Sequence, residues 1–315
     1  MTRFVVRRLV QAIPLLIGIS LVVFLMIYLS PGDASTFALS ERANEAQVQA
    51  YRHYMGLDLP WYRQYLRLAG NWVRGDLGTS LIQRRPVSTI IAERLPRTVE
   101  LVGIATVLAL LIAIPIGVLS AIRQYSVSDH VVTVASFIGI AIPSFWLGIM
   151  LILLFSVKLH WLPTGGTQTI GQPWSLVDHL KHLILPAAVL TIIQTAAWSR
   201  YMRSSMLEVL VQDYMRTARA KGLPERLVLL RHAMRNAMLP IITLLGLSLP
   251  TLVGGAIITE QIFSWNGLGK LVVDSASKRD TPVVLALVML SAIAIVVGNL
   301  LADIGYRLID PRIEL

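Results

Sequence analysis

Six stretches of this chain contain no charged residue and reach, or nearly reach, the length needed to cross a lipid bilayer as a helix. A membrane-spanning helix needs about 20 predominantly apolar residues. Hydrophobic residues make up 55% of the 315 residues and charged residues only 15%, so a soluble globule would have too little polar surface to cover itself. The sequence therefore predicts an all-α polytopic membrane protein with six transmembrane helices. The predicted spans are residues 9–30, 101–122, 131–157, 183–199, 240–259 and 282–301.

The first predicted span, residues 9–30, shares one feature with a secretion signal, because Arg3, Arg7 and Arg8 precede it. The apolar region of a signal is about 7–15 residues long and ends at a small-residue cleavage site. This stretch is longer and continues into the Pro-Gly-Asp sequence at 31–33. We therefore predict an uncleaved anchor helix.

The distribution of Lys and Arg predicts the orientation of the spans. If the N-terminus lies inside, the cytoplasmic segments contain 14 of the 28 Lys and Arg residues, and the two short outer loops contain five. The other nine lie in the first outer segment, which is longer than the roughly 60 residues within which the positive-inside rule counts charges. We therefore predict that both termini are cytoplasmic. The net charge of +10 requires no nucleic-acid partner, because anionic membrane lipid and a cytoplasmic partner account for it.

The chain divides into three predicted parts. Residues 1–97 form the anchor helix and a periplasmic segment, part of which has helical periodicity and is expected to lie on the outer membrane surface. Residues 98–306 form a five-helix core with a long loop at 200–236, and residues 307–315 form a cytoplasmic tail. The periodicity in the periplasmic segment is carried by Trp61, Tyr65, Leu68 and Trp72.

The loop at 200–236 is too long and too regular for a simple connection between two spans. Residues 203–220 contain neither Gly nor Pro, which predicts a helix. The Lys-Gly pair ending at Gly222 is typical of a helix end, where glycine adopts a left-handed conformation. Pro224 suits the first turn of a second helix. The sequence therefore predicts a cytoplasmic helix–turn–helix hairpin.

Three interpretations of this hairpin are open on the pattern alone. The basic hairpin could lie along phospholipid headgroups, or it could dock onto a partner. Docking is favoured by the small residues Thr217, Ala218 and Ala220, which allow another backbone to approach, and by flanking cations that orient an acidic partner. Binding to DNA is disfavoured, because a helix-turn-helix reader needs a folded three-helix support.

No catalytic, cofactor-binding or metal site is predicted. The chain has no cysteine, which excludes disulfides and thiol ligands. The sequence Ser-Asp-His at 128–130 contains triad residue types, but adjacent side chains cannot converge as a triad requires. The nearest match to a phosphate-binding loop ends at Lys270 and lacks both the first glycine and the final Ser or Thr. The sequence therefore predicts no ATP-binding site in this chain.

Two further patterns bear on the class of transporter. Glu100, Glu260 and Asp303 lie at span ends, which argues against a proton-coupled secondary transporter, since such proteins carry ionisable residues within their spans. Three histidines share one outer loop, so nickel passage stays open as an alternative to an interfacial role beside Trp residues. These histidines are His160, His179 and His182.

Residues 213–223 (DYMRTARAKGL), with HAMRNA at 232–237 and Leu-Pro at 239–240, resemble the coupling loop of inner-membrane permeases from bacterial ABC importers. More narrowly, they resemble the first of the two permease subunits in the dipeptide/oligopeptide class, whose relatives also import glutathione or nickel. The resemblance covers nearly the whole chain. Further matching segments are PGD at 31–33, GLD at 56–58, GDLG at 75–78, RLP at 94–96, PSFW at 143–146, FSWNGLG at 263–269, RD with a following Pro at 279–282, and DPR at 310–312.

This chain departs from the general importer motif at two places, and at both it resembles the peptide-class variant of that motif. Arg216 stands where the general motif has glutamate, and Pro240 comes about five residues late. No glutamate-based contact is therefore carried over to this chain.

The resemblance implies a type I ABC importer permease fold in the bacterial cytoplasmic (inner) membrane. The chain would form half of a translocation path for di- or oligopeptides, with glutathione or nickel as alternative substrates; a secondary transporter is a further alternative. The implied partners are a second permease subunit in a heterodimer, two cytoplasmic ATPase subunits, and a periplasmic or lipoprotein substrate-binding protein. The substrate path is not assigned. The residues implied to couple the chain to the ATPase are Asp213, Tyr214, Arg216, Thr217, Ala218, Arg219, Ala220, Lys221, Gly222, Arg235, Asn236 and Pro240.

Overall fold

The computed structural model describes residues 2–29, 46, 49–50, 53, 56, 58–254 and 256–309. The predicted motifs at 31–33 and 310–312 lie outside these residues, as does most of the predicted tail. The α-helices of the described part are α1 (Thr2–Tyr28), α2 (Trp61–Val73), α3 (Val87–Ile122), α4 (Val127–Ala141), α5 (Ser144–Leu151), α6 (Leu176–Leu210), α7 (Asp213–Ala220), α8 (Glu225–Leu227), α9 (Met234–Ala237), α10 (Leu239–Gly254), α11 (Ile257–Ile262), α12 (Leu268–Ser277) and α13 (Thr281–Ile309). Two π-helical stretches, Ile152–Lys158 and Val228–Ala233, continue α5 and α8.

Four of these helices, α1, α3, α6 and α13, are each long and apolar enough to cross a membrane. Two bent pairs raise the number to six if each pair forms one span. One pair is α4 with α5 and its π-helical continuation, and the other joins the α8–α9 segment to α10. The described helices therefore allow up to six spans, but the second bent pair begins at Glu225, in the hairpin, and does not share the bounds of the fifth predicted span, residues 240–259.

The third predicted span, residues 131–157, is not one straight helix. The chain bends by 99° between α4 and α5, at Ile142 and Pro143, both of which have extended backbone conformations. Proline disfavours a helical conformation in the residue before it and cannot donate an amide to the helix. The fifth predicted span is also interrupted, because α10 ends at Gly254 and α11 begins at Ile257.

The second and fourth predicted spans are parts of longer helices. Helix α3 begins at Val87, and α6 runs from Leu176 to Leu210. Helix α3 therefore passes through the predicted boundary between residues 1–97 and 98–306, and that division of the chain stays a prediction. Helices α3 and α6 make the most extensive contact of any pair in the described part.

Small residues set the distance between the helices of the bundle. A Cβ atom added at Gly117 of α3 would lie 2.7 Å from the Ser199 carbonyl oxygen of α6, and one at Gly139 of α4 would lie 2.7 Å from the Cβ of Ala196. Such small side chains allow membrane helices to pack at short range. Gly117 therefore allows α3 to pack closely against α6.

Helices α10 and α13 form a second tightly packed pair, on which α1 lies. A Cβ at Gly246 of α10 would approach the Cβ of Ala302 to 2.5 Å. Helix α1 contacts α13, where Arg8 pairs with Asp303 at 2.9 Å. Helix α2 forms as predicted, and the Tyr65 hydroxyl lies 2.8 Å from the Ser20 hydroxyl of α1. These contacts attach the N-terminal helices to the edge of the bundle.

Candidate functional site

The hairpin at 200–236 forms one end of the bundle, which we call the α7 end; it includes α7, α8, α9 and the turn between α3 and α4. The predicted continuous helix 203–220 is wrong at one place, because α6 ends at Leu210 and α7 begins at Asp213. Gln212 has an extended backbone (φ −68°, ψ 148°) that turns the chain between the two helices. The turn lets one face of α7 contact the π-helical stretch Val228–Ala233.

The inner face of α7 is formed by Met215 and Ala218, which are three residues apart and therefore lie on one side of the helix. Met215 is 0% exposed and Ala218 is 6% exposed. Both belong to one apolar cluster with Met202 and Met206 of α6 and with Val228 of the following segment. An isolated helix of eight residues is unstable in water, so this packing is what keeps α7 formed and fixed.

Two polar contacts brace α7 against the second half of the hairpin. Arg219 donates from Nε and Nη2 to both carboxylate oxygens of Glu225, at 3.2 and 2.9 Å. The Asn236 side chain donates to the Tyr214 hydroxyl at 2.7 Å. These contacts join the start and end of α7 to the segment from α8 to α9. The two halves of the hairpin are therefore joined by side-chain contacts and form one unit. We call this unit, α7 together with the segment from α8 to α9, the braced elbow.

The turn after α7 depends on glycine for its backbone conformation. Gly222 has φ +72°, and a Cβ added there would meet nothing within 4 Å. The requirement is thus the left-handed conformation and not a close neighbour. This confirms the predicted helix end at Gly222 and the predicted start of a second helix at Pro224, which precedes α8.

The outer face of α7 is exposed and carries most of the predicted coupling residues. The structure separates these from Ala218, which packs inside its own chain. Arg216 and Asp213 approach each other at 3.6 Å but stay largely exposed. Pro240 lies in the first turn of α10, and Arg235 is exposed at the end of the hairpin. The exposed face comprises Asp213, Tyr214, Arg216, Thr217, Arg219, Ala220 and Lys221.

The residues at 128–130 have structural contacts with other groups. Asp129 accepts from Arg203 of α6 at 2.6 Å. The His130 ring lies 2.9 Å from the Ser126 carbonyl oxygen. The pairing of Asp129 with Arg203 was not predicted from sequence, because the two residues are 74 positions apart and no sequence pattern links them.

At the opposite end of the bundle, which we call the α12 end, a buried carboxylate caps a helix. Glu260, which lies just beyond the fifth predicted span, is 0% exposed and accepts from the Lys270 amide at 3.0 Å and from the Thr98 hydroxyl at 2.8 Å. The same hydroxyl accepts from the Leu268 amide at 2.7 Å. Burial raises the pKa of the Glu260 carboxyl above its usual value, although the hydrogen bonds oppose this. The first amides of α12 therefore find partners inside the protein.

Two of the matching motifs meet at the α12 end. Asp280 is 1% exposed; its carboxylate accepts from the Ser80 hydroxyl and, at 3.0 Å, from the Leu81 amide. Gly78 of the GDLG segment has φ +82° and lies next to Pro282. Segments about 200 residues apart are thus held together by one buried side chain.

The outer-loop histidines are engaged in hydrogen bonds. His179 is 3% exposed, and its Nδ1 and Nε2 atoms lie 2.7 Å from the Thr167 carbonyl oxygen and 2.7 Å from Glu100. The Nδ1 atoms of His182 and His160 lie 2.8 and 3.1 Å from backbone carbonyl oxygens four residues earlier. No group of three or more potential metal-ligating side chains occurs among the described residues.

A bundle of membrane-spanning helices with a braced elbow at one end defines a polytopic membrane component that a partner can engage. Comparison with known sequences identifies the family. Residues 113–315 match the family described as "Binding-protein-dependent transport system inner membrane component", and residues 1–102 match the N-terminal region of such membrane components. The chain belongs to this family and is a multi-pass inner-membrane transport component.

Several relatives match over the full chain. The oligopeptide transport system permease protein AppB of Bacillus subtilis is 49% identical over 315 residues, 100% of both chains. The dipeptide transport system permease protein DppB of Escherichia coli K12 is 41% identical over 339 residues, and the glutathione transport system permease protein GsiC of Escherichia coli O6:H1 is 39% identical over 314 residues. Each comparison covers 100% of this chain and 99% of the relative.

A solved structure supports the fold. A chain of the MetNI methionine ABC transporter, in an inward-facing conformation, aligns with a TM-score of 0.54 at 16% sequence identity. The alignment covers 70% of this chain and 97% of that chain. The fold is therefore that of a type I ABC importer permease, as the sequence resemblance implied.

Proposed function

We propose that this chain is one permease subunit of an ATP-binding cassette importer for di- or oligopeptides, and that α7 is its coupling helix. One observation carries the proposal: Met215 on the inner face of α7 is fully buried in an apolar cluster shared with α6 and Val228, while the outer face of α7 is exposed. A helix held in this way can receive a displacement from a partner and pass it on to the bundle. A mobile loop would absorb the same displacement by bending.

The outer face also has the chemistry of a docking surface. Arg216, Arg219 and Lys221 supply positive charge, and Ala220 allows close approach of another backbone. A partner groove with acidic side chains would be complementary to this face. The chain has no phosphate-binding sequence of its own, so the proposed partner on this face is a cytoplasmic ATPase subunit. Two such subunits, a second permease and a substrate-binding protein would complete the importer.

Docking of α7 on a cytoplasmic ATPase implies an orientation of the chain in the membrane. The α7 end would face the cytoplasm together with both termini, in agreement with the Lys and Arg distribution. The α12 end, with the segment from Trp61 to Val87, would face the binding protein. In this arrangement residues 1–97 supply the anchor and the outer platform, and residues 98–306 supply the moving core.

The substrate class rests on the relatives. AppB and DppB are named for oligopeptide and dipeptide transport, at 49% and 41% identity, which supports a peptide substrate. Glutathione is the second candidate, because GsiC matches the whole chain at 39% identity. Nickel is not favoured, since both ring nitrogens of His179 are engaged in hydrogen bonds.

The test is uptake by the whole importer, reconstituted in proteoliposomes with its binding protein. Labelled dipeptide, hexapeptide and glutathione are compared with and without the ATPase subunits. We expect ATP-dependent peptide uptake, and we expect Ala220→Trp, on the exposed face of α7, to lower it by at least about tenfold, a loss of ~1.4 kcal/mol or more of docking energy. The matched control is Leu230→Trp, at an exposed residue of the same hairpin outside α7. Full ATP-driven uptake by Ala220→Trp, or uptake without ATPase subunits, would refute the proposal.

A further inference from the structure

At the α7 end of the bundle, one carboxylate joins three helices. Asp129 in the first turn of α4 has a side chain only 4% exposed. It accepts from Arg203 of α6 at both oxygens, at 2.6 Å from Nε and 2.8 Å from Nη2. It also accepts from the Ser120 hydroxyl of α3 and from the Tyr125 amide of the turn at 2.9 Å. We call these four residues the inner bracket.

Local helix capping explains only part of this arrangement. Ser126 is the N-cap of α4 and accepts from the Asp129 amide at 3.3 Å, and an acidic residue at this position commonly takes an amide just before the helix in return. The Tyr125 contact satisfies that requirement. Capping of α4 does not require Arg203, which is 74 residues from Asp129 in the sequence, nor the Ser120 hydroxyl of α3. These two additional contacts connect α4 to α6 and to α3.

The inner bracket lies next to the apolar cluster in which α7 packs. Arg203 follows Met202 directly, and Met202 is fully buried in the cluster that contains Met215 of α7. Consecutive helical residues point about 100° apart, so α6 faces the apolar cluster with one side and Asp129 with another. Helix α6 is continuous from Leu176 to Leu210. A displacement of α7 is therefore expected to reach α6 through this cluster, at the same turn that carries the bracket.

Other contacts between α4 and α6 include small side chains, such as Gly139 against Ala196. A hydrogen bond joins the Ser136 and Ser199 hydroxyls at 3.1 Å, and the Arg200 guanidinium lies over the Phe137 ring. A bidentate pair between guanidinium and carboxylate is directional and charge-assisted, and is therefore stronger than a bond between two neutral hydroxyls. The bracket is thus the strongest directional contact between α4 and α6 among the described residues, and it contributes most to the register of α4 along α6.

We propose that Asp129 and Arg203 are positioning residues for energy coupling: the inner bracket makes α4 follow α6 and α3, which already pack closely against each other, when the ATPase displaces α7. This inference rests on the proposed function of α7. Without the bracket, ATP hydrolysis still moves α7 and α6, but α4 no longer moves with α6. The amount of peptide taken up per ATP hydrolysed therefore decreases.

The experiment measures peptide uptake and ATP hydrolysis in the same proteoliposomes containing the whole importer. The main variant is the double substitution Asp129→Asn/Arg203→Gln, which removes both charges and leaves no buried ion unpaired. We expect ATP hydrolysis within about twofold of wild type and a decrease of about tenfold in uptake per ATP, the ratio that corresponds to the loss of one strong contact in the moving state. Arg203→Lys keeps the charge without the bidentate geometry, and we expect an intermediate ratio.

The matched control is Arg8→Gln/Asp303→Asn, which removes an ion pair between α1 and α13 at the edge of the bundle. We expect its uptake per ATP to equal that of wild type. A bracket that served only stability would lower the amount of assembled importer, and with it uptake and hydrolysis together, so an unchanged ratio in the double variant overturns the inference.

Ala220→Trp in the same vesicles separates this inference from the proposed function. If Ala220→Trp abolishes ATP-driven uptake while the bracket variants keep the wild-type ratio, the bracket inference fails and the proposed function stands. If Ala220→Trp has no effect, the proposed function fails and the inference fails with it. Loss of uptake in Ala220→Trp with a low ratio in the bracket variants supports both.

Discussion

The packing of α7 in the apolar cluster predicts that Met215→Ala strongly increases the population in which α7 is detached from the bundle. Met215 is 0% exposed and lies in the cluster that includes Met202 and Met206. The substitution removes three heavy atoms from this cluster and leaves a cavity. Because an eight-residue helix has little stability of its own, we expect the loss to release α7 locally without unfolding the bundle.

The magnitude follows from the burial. Truncation of a buried Met to Ala costs about 2–5 kcal/mol. Even the lower value of about 2 kcal/mol would increase the population of released α7 roughly 30-fold, since each 1.4 kcal/mol corresponds to a factor of ten. The effect should be confined to the hairpin, because the bundle helices keep their other contacts.

Limited proteolysis of the full chain in lipid nanodiscs measures this population. The basic residues Arg216, Arg219 and Lys221 are exposed on or beside α7, and trypsin cleavage there tracks the opened state when opening is fast relative to cleavage. We expect Met215→Ala to increase the cleavage rate at these sites by at least about tenfold. The control is Leu230→Ala, in the same hairpin but 59% exposed, for which little change is expected. Equal cleavage rates for the two variants would show that buried Met215 does not hold α7.

Three other substitutions test separate parts of the account. Gly222→Pro should abolish ATP-driven uptake while membrane insertion continues, because proline fixes φ near −65° and this turn needs +72°; full uptake would contradict the braced elbow. Asp280→Ala should lower the free energy of unfolding by about 1–3 kcal/mol and speed hydrogen exchange at the Leu81 amide; unchanged exchange would show that the Asp280 contact is not formed. Gly139→Leu should destabilise the bundle by about 1–3 kcal/mol in thermal unfolding, whereas Gly103→Leu, at a glycine with open space around it, serves as the control; equal melting temperatures would argue against close α4–α6 packing.

The apolar stretches and the glycine turn were predictable because their causes are local. Uncharged length alone locates the spans, and a glycine after a helical stretch marks the helix end at Gly222. The break between Leu210 and Asp213 was not predictable in this way, since no Gly or Pro marks it. The turn places Met215 in the apolar cluster that α6 shares with Val228, and such a contact between distant segments is a tertiary requirement.

The sharp bend at Pro143 shows a similar limit. Proline within a membrane helix is often accommodated with a modest kink, so the sequence favoured one span at 131–157 and did not indicate the 99° bend. The buried carboxylates were harder still. Asp129, Glu260 and Asp280 find their side-chain partners 74, 162 and 200 residues away in sequence, and spacing along one chain contains no information about such pairs.

The central claim, that the outer face of α7 docks on a cytoplasmic ATPase and moves with it, has one most direct test. The chain has no cysteine, so Ala220→Cys introduces a single thiol on that face. Crosslinking in native membranes is then measured with the ATPase subunits present, in the absence of nucleotide and with a non-hydrolysable ATP analogue. The account predicts a crosslink to an ATPase subunit whose yield changes with nucleotide. Labelling of this thiol by a membrane-impermeant reagent from the periplasmic side, with no crosslink to the ATPase, would contradict it.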